Sequence, residues 1–249
     1  MKKSLLLSVV FIAFVAISCI IFYFSTLQNN QNKSSTVSDQ ENLIKSLFPN
    51  GSFLRDFQKV PGQNNTYLAI YIESGYQFNS WELSCPGMIL GDSIIGKYHL
   101  SLIQNGQIIN DLTLPEFYDN NNRLELTYKN YTDGWPSEGE TKQKEIIKLL
   151  DFQDLTGDGL DYEFLLTTTT GGCSLYNRLV GAYDPDQNKA VLYSNWLFRF
   201  EPDSSGKSYY LFDCGDHGNE KKIEKQYQFN KTTKTYEVIW EKENPCIIN

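Results

Sequence analysis

KYHLSLIQNGQIINDLTL, residues Lys97 to Leu114, is the stretch that decides the fold class. Apolar and polar residues alternate along it on both sides of the dipeptide Asn105-Gly106. Asn-Gly between two alternating runs is the strongest short-range signal of a β-hairpin, because both residues tolerate the left-handed backbone of a two-residue turn. The pattern predicts strands from Tyr98 to Ile103 and from Gln107 to Leu112, joined by that turn.

Other stretches of the chain have the same strand-like character. NTYLAIYIES at 65–74 alternates, and IIKLLDFQ at 146–153 and YEFLLTTTT at 162–170 predict two strands around a polar turn. RLVGAYDPDQNKAVLYS at 178–194 predicts a further hairpin around Pro185-Asp186. Aromatic residues, 14% of the chain, also favour pleated sheet. The sequence therefore predicts a mainly β fold of antiparallel sheets, preceded by a short helix within ENLIKSLFPNGSF at 41–53.

The segment from 207 to 240 repeats the order of elements predicted from 162 to 194. KSYYLFDCGDHGNEKKIEKQYQFNKTTKTYEVIW again gives strand, turn, strand, turn and strand, and Tyr183 and Tyr227 occupy equivalent places 44 residues apart. That spacing is in the range of one four-stranded propeller blade. Two consecutive hairpins of any antiparallel protein produce the same likeness, so a partial propeller-like arrangement and a sandwich both stay open.

The N-terminus carries a segment that suits a membrane. LLLSVVFIAFVAISCIIFYF, Leu5 to Phe24, contains twenty residues and no charge, and at ~1.5 Å per residue it spans the ~30 Å hydrocarbon layer. Lys2 and Lys3 precede it, and positive charge is retained on the cytoplasmic side. The sequence predicts a transmembrane signal anchor at 5–24 that holds a single-pass protein in the cell membrane, with residues 1–4 cytoplasmic and the C-terminal body extracytoplasmic.

Two alternatives for this segment end in cleavage. A secretory signal peptide has a shorter apolar core of ~7–15 residues, although Ala16-Ile17-Ser18 is a suitable cleavage site. With the next residue, Cys19, this stretch also resembles the bacterial lipobox, and the protein would then be a lipoprotein anchored by lipid at Cys19. The apolar run continues past Cys19, which favours the uncleaved anchor. Every alternative exports the rest of the chain.

Composition separates the anchor from an exported body. Residues 25–40, STLQNNQNKSSTVSDQ, have almost nothing to bury and predict a flexible linker. Residues 41–249 predict an exported β-rich domain, with a subdivision near 119–145, where polar residues and glycines accumulate. The exported part has 20 basic and 30 acidic residues, a net charge of −10. That charge disfavours nucleic acid as a partner.

Export also makes the cysteines interpretable, because an oxidising compartment allows disulfides to persist. Four cysteines lie in the exported part, an even number that allows three pairings. The predicted disulfide cysteines are Cys85, Cys173, Cys214 and Cys246. We favour Cys85 with Cys173 and Cys214 with Cys246, since the second pair would hold a C-terminal strand in place.

DLTGDGLDYEF, Asp154 to Phe164, is the stretch with the clearest chemical content. Calcium loops place oxygen ligands at alternate positions, with glycine where the backbone turns sharply. Asp154, Thr156 and Asp158 stand at positions one, three and five, and Gly159 accepts a positive φ. The predicted metal ligands are Asp154, Thr156, Asp158, Leu160 through its carbonyl at position seven, and Asp161 or Glu163 to close the shell.

DLTGDGLDYEFLL resembles the DxxGDGxxD loop of FG-GAP and VCBS repeats, which are extracellular β-propeller-type modules with a calcium loop between two strands. In those families carboxylates stand at positions one, three, five and nine. Here Asp154 and Asp158 match, whereas Thr156 stands at position three and Tyr162 at position nine. The resemblance covers one loop, implies Ca²⁺ as the cofactor and, with the lipobox-like stretch, points to a bacterial protein.

The sequence thus favours a non-enzymatic binding or structural module, attached to the membrane through residues 5–24, that presents loops to a protein or glycan ligand. Alternatives are an exported hydrolase with an acid pair among Asp158, Asp161 and Glu163, and a structural envelope lipoprotein. The loop is equally explained as a polar turn without a metal. The chain lacks GxSxG and HExxH patterns, and one of its two histidines, His99, is expected at an exposed or edge position.

Overall fold

The computed structural model describes residues 39–80, 92–117, 124–127, 129–131, 144–169, 176–212 and 221–246. Within these residues the protein has a short helix at 39–45 and sixteen β-strands. The chain divides into two units, residues 1–47, which include the helix, and residues 48–249, which include the strands.

The strands in chain order are β1 (Phe53–Lys59), β2 (Thr66–Ile72), β3 (Gln77–Ser80), β4 (Asp92–Gly96), β5 (Tyr98–Gln104), β6 (Gln107–Thr113), β7 (Leu124–Thr127), β8 (Lys129–Tyr131), β9 (Lys144–Ile146), β10 (Glu163–Thr169), β11 (Tyr176–Asp184), β12 (Lys189–Leu192), β13 (Leu197–Phe198), β14 (Lys207–Phe212), β15 (Lys221–Asn230) and β16 (Thr235–Pro245).

A four-stranded sheet contains the predicted Asn-Gly hairpin. Its order is β1-β2-β5-β6, and all neighbouring strands are antiparallel. Strands β5 and β6 each extend one residue beyond the prediction, and Gln104 pairs with Gln107 across the turn. Asn105 and Gly106 have φ values of 50° and 76°, the left-handed backbone that a two-residue turn requires. The hairpin prediction is confirmed.

Two antiparallel sheets follow one another in the second half of the chain. Strands β10, β11 and β12 pair in sequence order, with β13 also against β11, and β14, β15 and β16 do the same. The hairpin predicted around Pro185-Asp186 is the β11–β12 turn. Tyr183 and Tyr227 lie in the middle strands of these two sheets, β11 and β15. Two smaller sheets, β3-β4-β7 and β8-β9, are also antiparallel, so the mainly β, antiparallel prediction is confirmed.

Two apolar clusters hold the described sheets together. The larger one is formed by buried side chains of β2, β4, β5, β7, β10, β11 and β12. The smaller one contains Leu155, Val180, Ala182, Tyr193 and Phe200, and rings from β15 and β16 pack against it. Burial of apolar surface stabilises by about 25 cal/mol per Å². Since Leu155 belongs to the smaller cluster, the start of the Asp154 loop is fixed between the β10–β12 and β14–β16 sheets.

The strand predicted at 146–153 is wrong. Ile146 ends β9, and Gln153 makes only an isolated bridge with Glu163. Between them, the N–H groups of Leu149 and Leu150 donate to Oδ2 of Asp56 at 2.7 and 2.8 Å. A side chain thus accepts the hydrogen bonds that a neighbouring strand would otherwise take. Both leucines lie in the core. The apolar run therefore predicts their burial correctly, but the secondary structure predicted for it is wrong.

Part of what the sequence predicts lies outside the described residues. The anchor at 5–24, with Cys19, and most of the linker at 25–40 lie there and stay predictions. Among the described residues no helix is long and apolar enough to cross a membrane. The predicted short helix is confirmed and begins at residue 39. Most of 119–145 is also outside, as are Cys85, Cys173 and Cys214, so the subdivision and the cysteine pairing stay predictions.

Candidate functional site

The acidic loop, residues 154–162, has its two ends side by side, because the residue before it pairs with the residue after it. At its base Gln153 donates its N–H to the carbonyl of Glu163 at 2.8 Å, and Glu163 donates in return at 3.3 Å. Glu163 is also the first residue of β10. The loop is therefore closed by one antiparallel bridge, and its position is set by the sheet that follows.

The Asp154 carboxylate organises this loop. Its Oδ1 accepts backbone N–H groups from Thr156, Gly157 and Asp158 at 3.2, 2.8 and 3.3 Å, and its Oδ2 accepts that of Gly159 at 2.8 Å. Gly157 and Gly159 have φ values of 74° and 85°, a conformation in which glycine carries no steric penalty. The chain therefore wraps round one carboxylate, as the spacing of acids and glycines predicts.

Three carboxylates meet at the loop and form what we call the acid triad: Asp154, Asp158 and Glu163. Oxygens of all three lie within 4.8 Å of one another. Glu163 is 2% exposed, and its Oε2 accepts the N–H of Leu155 at 2.9 Å. Burial, together with the charges of Asp158 and Asp154, raises the pKa of the Glu163 carboxyl to about 7. A cation between the three groups would offset this repulsion.

Thr156 adds an independent observation at the same place. The residue is 3% exposed, and its Oγ1 has no hydrogen-bond partner among the described residues. A buried hydroxyl without a partner costs roughly 1–3 kcal/mol. Such a group in a native fold needs an explanation, and a ligand to that oxygen is a sufficient one.

The structure brings together three of the six predicted ligands, which are the members of the acid triad. A fourth, Thr156, lies in the same loop and donates its backbone N–H to Asp154. Leu160 donates its N–H to Asp158 at 2.8 Å, and its carbonyl stays a predicted ligand. Asp161 is exposed and does not belong to the triad. Of the two acids predicted to close the shell, Glu163 is therefore the one that reaches it.

Tyr162, at the position where the FG-GAP and VCBS loops have a carboxylate, has a separate role. Its hydroxyl accepts a hydrogen bond from Nε2 of Gln63 at 3.2 Å. Its ring meets that of Tyr183 edge to face, with centroids 5.4 Å apart. Tyr162 thus ties the end of the loop to the core, and the acid at the following position takes over as third carboxylate.

A cleft of about 210 Å³ opens beside the acidic loop, between two other turns. One is the β11–β12 turn with Asp184 and Asp186, and the other is the β15–β16 turn with Lys231 and Lys234. The residues that line the cleft are Thr156, Asp158, Leu160, Asp184, Pro185, Asp186, Tyr193, Phe229, Lys231 and Lys234. Thr156 and Asp158 therefore belong to both the acidic loop and the cleft.

Contacts of two lysines join the three turns around the cleft. Lys234 Nζ lies 2.7 Å from Oδ2 of Asp184 and 2.9 Å from Oδ2 of Asp186. Burial disfavours the Asp184 carboxylate, but the hydrogen bond and charge of Lys234, together with the N–H groups of Gln187 and Asp186, outweigh burial and lower the pKa of Asp184. Lys231 donates to the carbonyl of Gly157 at 3.4 Å. The sequence did not predict a role for Lys231 or Lys234, because their partners lie about 74 and 50 positions away and no local pattern indicates such a contact.

A second polar cluster surrounds His99, which is buried in β5 and not at an edge, contrary to the expectation from sequence. Its Nδ1 lies 2.9 Å from Asp111 and its Nε2 lies 2.8 Å from Glu73. The ring stacks on Tyr71, with centroids 4.7 Å apart. Burial opposes the charged imidazolium, but the hydrogen bonds with Asp111 and Glu73 prevail and raise the pKa of His99.

This cluster gives a pH-dependent prediction. Because the pKa of His99 is higher in the folded than in the unfolded chain, its contribution is fully present below about pH 6.5 and is lost as the pH rises through the folded-state value. We expect the free energy of unfolding to fall across that range by about 1.4 kcal/mol per unit of pKa difference. Urea titrations at a series of pH values, repeated with His99→Gln, measure this contribution.

An NMR titration of the imidazole resonances checks the prediction directly. The chain has two histidines, His99 and His217, so His217→Gln assigns the remaining signal. A His99 signal that titrates at or below about pH 6.5 would contradict the prediction.

Comparison of the chain with protein-family models, with curated protein sequences and with solved structures finds no match.

Proposed function

We propose that this protein is a membrane-anchored extracytoplasmic binding module, non-enzymatic, whose acidic loop is stabilised by calcium. The observation that carries the proposal is the acid triad together with the buried, unpartnered Thr156 hydroxyl of the same loop. Calcium takes 6–8 oxygen ligands in irregular geometry. Three carboxylates, the Thr156 hydroxyl and the Leu160 carbonyl would supply five groups. The resemblance of the loop to FG-GAP and VCBS repeats supports the same metal.

The position of the loop supports a role in stabilising the fold. Gly157 lies against the turn that precedes β14, where an added Cβ would be 2.9 Å from the carbonyl carbon of Ser205. In the same region Tyr236 donates its hydroxyl hydrogen to the carbonyl of Leu155. A cation that fixes the loop would therefore also fix the packing of the β14–β16 sheet. The edges and turns of such a scaffold remain available to present a binding surface.

The burial of Glu163 does not favour the hydrolase alternative. A pKa of about 7 suits a general acid. However, the side chain is nearly inaccessible and one oxygen accepts the N–H of Leu155, so a substrate oxygen has no approach to it in this conformation. Asp161 is exposed and outside the triad. The acids therefore suit a cation better than a substrate.

Thermal unfolding of the purified full-length chain tests the calcium site. We expect saturating calcium to raise the melting temperature relative to EDTA by about 5–10 °C, since ligand at 100 times its Kd stabilises by about 2.7 kcal/mol and ~1 kcal/mol shifts a domain of this size by 2–4 °C. Asp158→Asn should remove most of the shift, because it takes one charge from the triad. Differential scanning calorimetry measures both.

Asp161→Asn is the matched control for that experiment. It makes the same chemical change three residues away, at an exposed carboxylate outside the triad, and we expect the calcium shift to be kept. Equal loss in both variants would indicate general charge attraction. No calcium shift in the unsubstituted protein would rule out the proposed site.

A further inference from the structure

The cleft beside the acidic loop is large enough for a small molecule. At about 210 Å³ it lies below the ~300–1,000 Å³ of sites for drug-sized ligands. It is bounded by three turns from separate parts of the chain, and the Lys234 contacts to Asp184 and Asp186 hold two of them together. The size restricts an occupant to about one sugar ring or a molecule of similar dimensions.

The lining combines an apolar wall with polar groups that can form further hydrogen bonds. Tyr193 and Phe229 pack against each other with ring centroids 5.0 Å apart and both face the cleft. The Tyr193 hydroxyl makes no hydrogen bond within the described part of the chain. Among the described residues Lys231 Nζ has one long contact, to the carbonyl of Gly157 at 3.4 Å. Aromatic surface beside free hydrogen-bonding groups suits a ring with an apolar face and hydroxyls at its rim.

Charge selects a neutral ligand over an anion. Lys234 already neutralises the buried Asp184, and Asp186 and Asp158 are exposed acids at the rim. A divalent cation would offset only two of the three charges of the acid triad. Lys231 adds one positive charge, so the loaded site stays slightly negative within a body that is itself acidic.

The acidic loop also leaves room for a ligand on the cation. Five groups of the chain are available for a metal that takes 6–8 oxygens, and Thr156 and Asp158 border the cleft. Two neighbouring hydroxyls of a sugar are oxygens of the type that calcium accepts. We propose that the cleft binds a single neutral sugar ring, whose hydroxyls complete the calcium shell and contact Lys231. This proposal rests on the calcium site proposed above.

Saturation-transfer NMR on the full-length chain tests it. The probes are a panel of neutral hexoses and N-acetylhexosamines and the corresponding uronic acids, each at millimolar concentration with calcium or with EDTA. We expect transfer to one or more neutral sugars with calcium and its loss with EDTA. Lys231→Ala should weaken binding about tenfold, as expected for removal of a charge-assisted hydrogen bond. The same variant should keep the calcium-dependent rise in melting temperature.

Lys242→Ala is the control, since Lys242 is an exposed lysine of β16 that does not line the cleft, and it should bind as the unsubstituted protein does. Calcium stabilisation without binding of any sugar overturns the cleft proposal and leaves the calcium site standing. Sugar binding that is as strong with EDTA as with calcium would show that the sugar does not coordinate the calcium ion, whatever calcium does to the melting temperature. Binding of uronic acids alone overturns the neutral-sugar proposal, and an unchanged affinity in Lys231→Ala places the ligand outside the cleft.

Discussion

Gly181→Ala is expected to destabilise the protein by about 3 kcal/mol. Gly181 in β11 pairs directly with Phe164 in β10, and an added Cβ would lie 2.3 Å from Cζ of that ring. The ring has no free space to move into, because Phe164 is fully buried in the larger core cluster and meets Phe152 edge to face. Overpacking of such a site costs 1–3 kcal/mol and at times more. Urea unfolding measures the change.

A double-mutant cycle with Phe164→Leu tests the cause. The leucine alone should cost about 1–2 kcal/mol through the volume that it leaves unfilled. In the double variant the methyl group added by Gly181→Ala would occupy part of that volume, so the combined loss should be smaller than the sum by at least about 1 kcal/mol. Strict additivity would show that the ring contact is not the reason.

The elements that sequence predicts correctly are those whose signal is local. Asn105-Gly106 determines its own turn through backbone conformation, and the strands on both sides alternate in polarity. The stretch at 146–153 fails for the opposite reason. Two of its backbone N–H groups donate to Asp56, about 93 residues away, and an apolar run does not reveal such a partner.

The candidate site divides in the same way. Asp154, Asp158 and the two glycines follow one another closely, so the shape of the loop follows from spacing alone. The choice between Asp161 and Glu163 depends on the bridge between Gln153 and Glu163, which turns the second acid inward. The cleft depends on turns brought together by tertiary packing, and neither Lys231 nor Lys234 has a sequence pattern that marks it.

Lys234→Met is expected to destabilise the protein by about 2–3 kcal/mol. Asp184 is fully buried, and Lys234 is the cation that contacts it at 2.7 Å. Removal of one partner of a buried pair leaves an uncompensated charge and costs ~3–5 kcal/mol. We expect less here because the Lys234 side chain is 31% exposed, and because Asp184 also accepts hydrogen bonds from Asp186 and Gln187. Chemical unfolding at neutral pH measures the loss.

The variant Asp184→Asn with Lys234→Met separates the charge from the packing. Without the carboxylate the methionine has no buried charge to leave unpaired, so at least about 1 kcal/mol of the loss should be recovered. Lys189→Met is the control, since Lys189 is an exposed lysine at the start of β12 beside the same turn, and it should change stability by less than about 0.5 kcal/mol.

Because Lys234 joins the two turns that form one side of the cleft, its loss should also raise hydrogen exchange in β15 and β16 more than in β2 and β5. Uniform exchange across all four strands would mean that the contact stabilises the whole fold and does not hold the C-terminal sheet in particular.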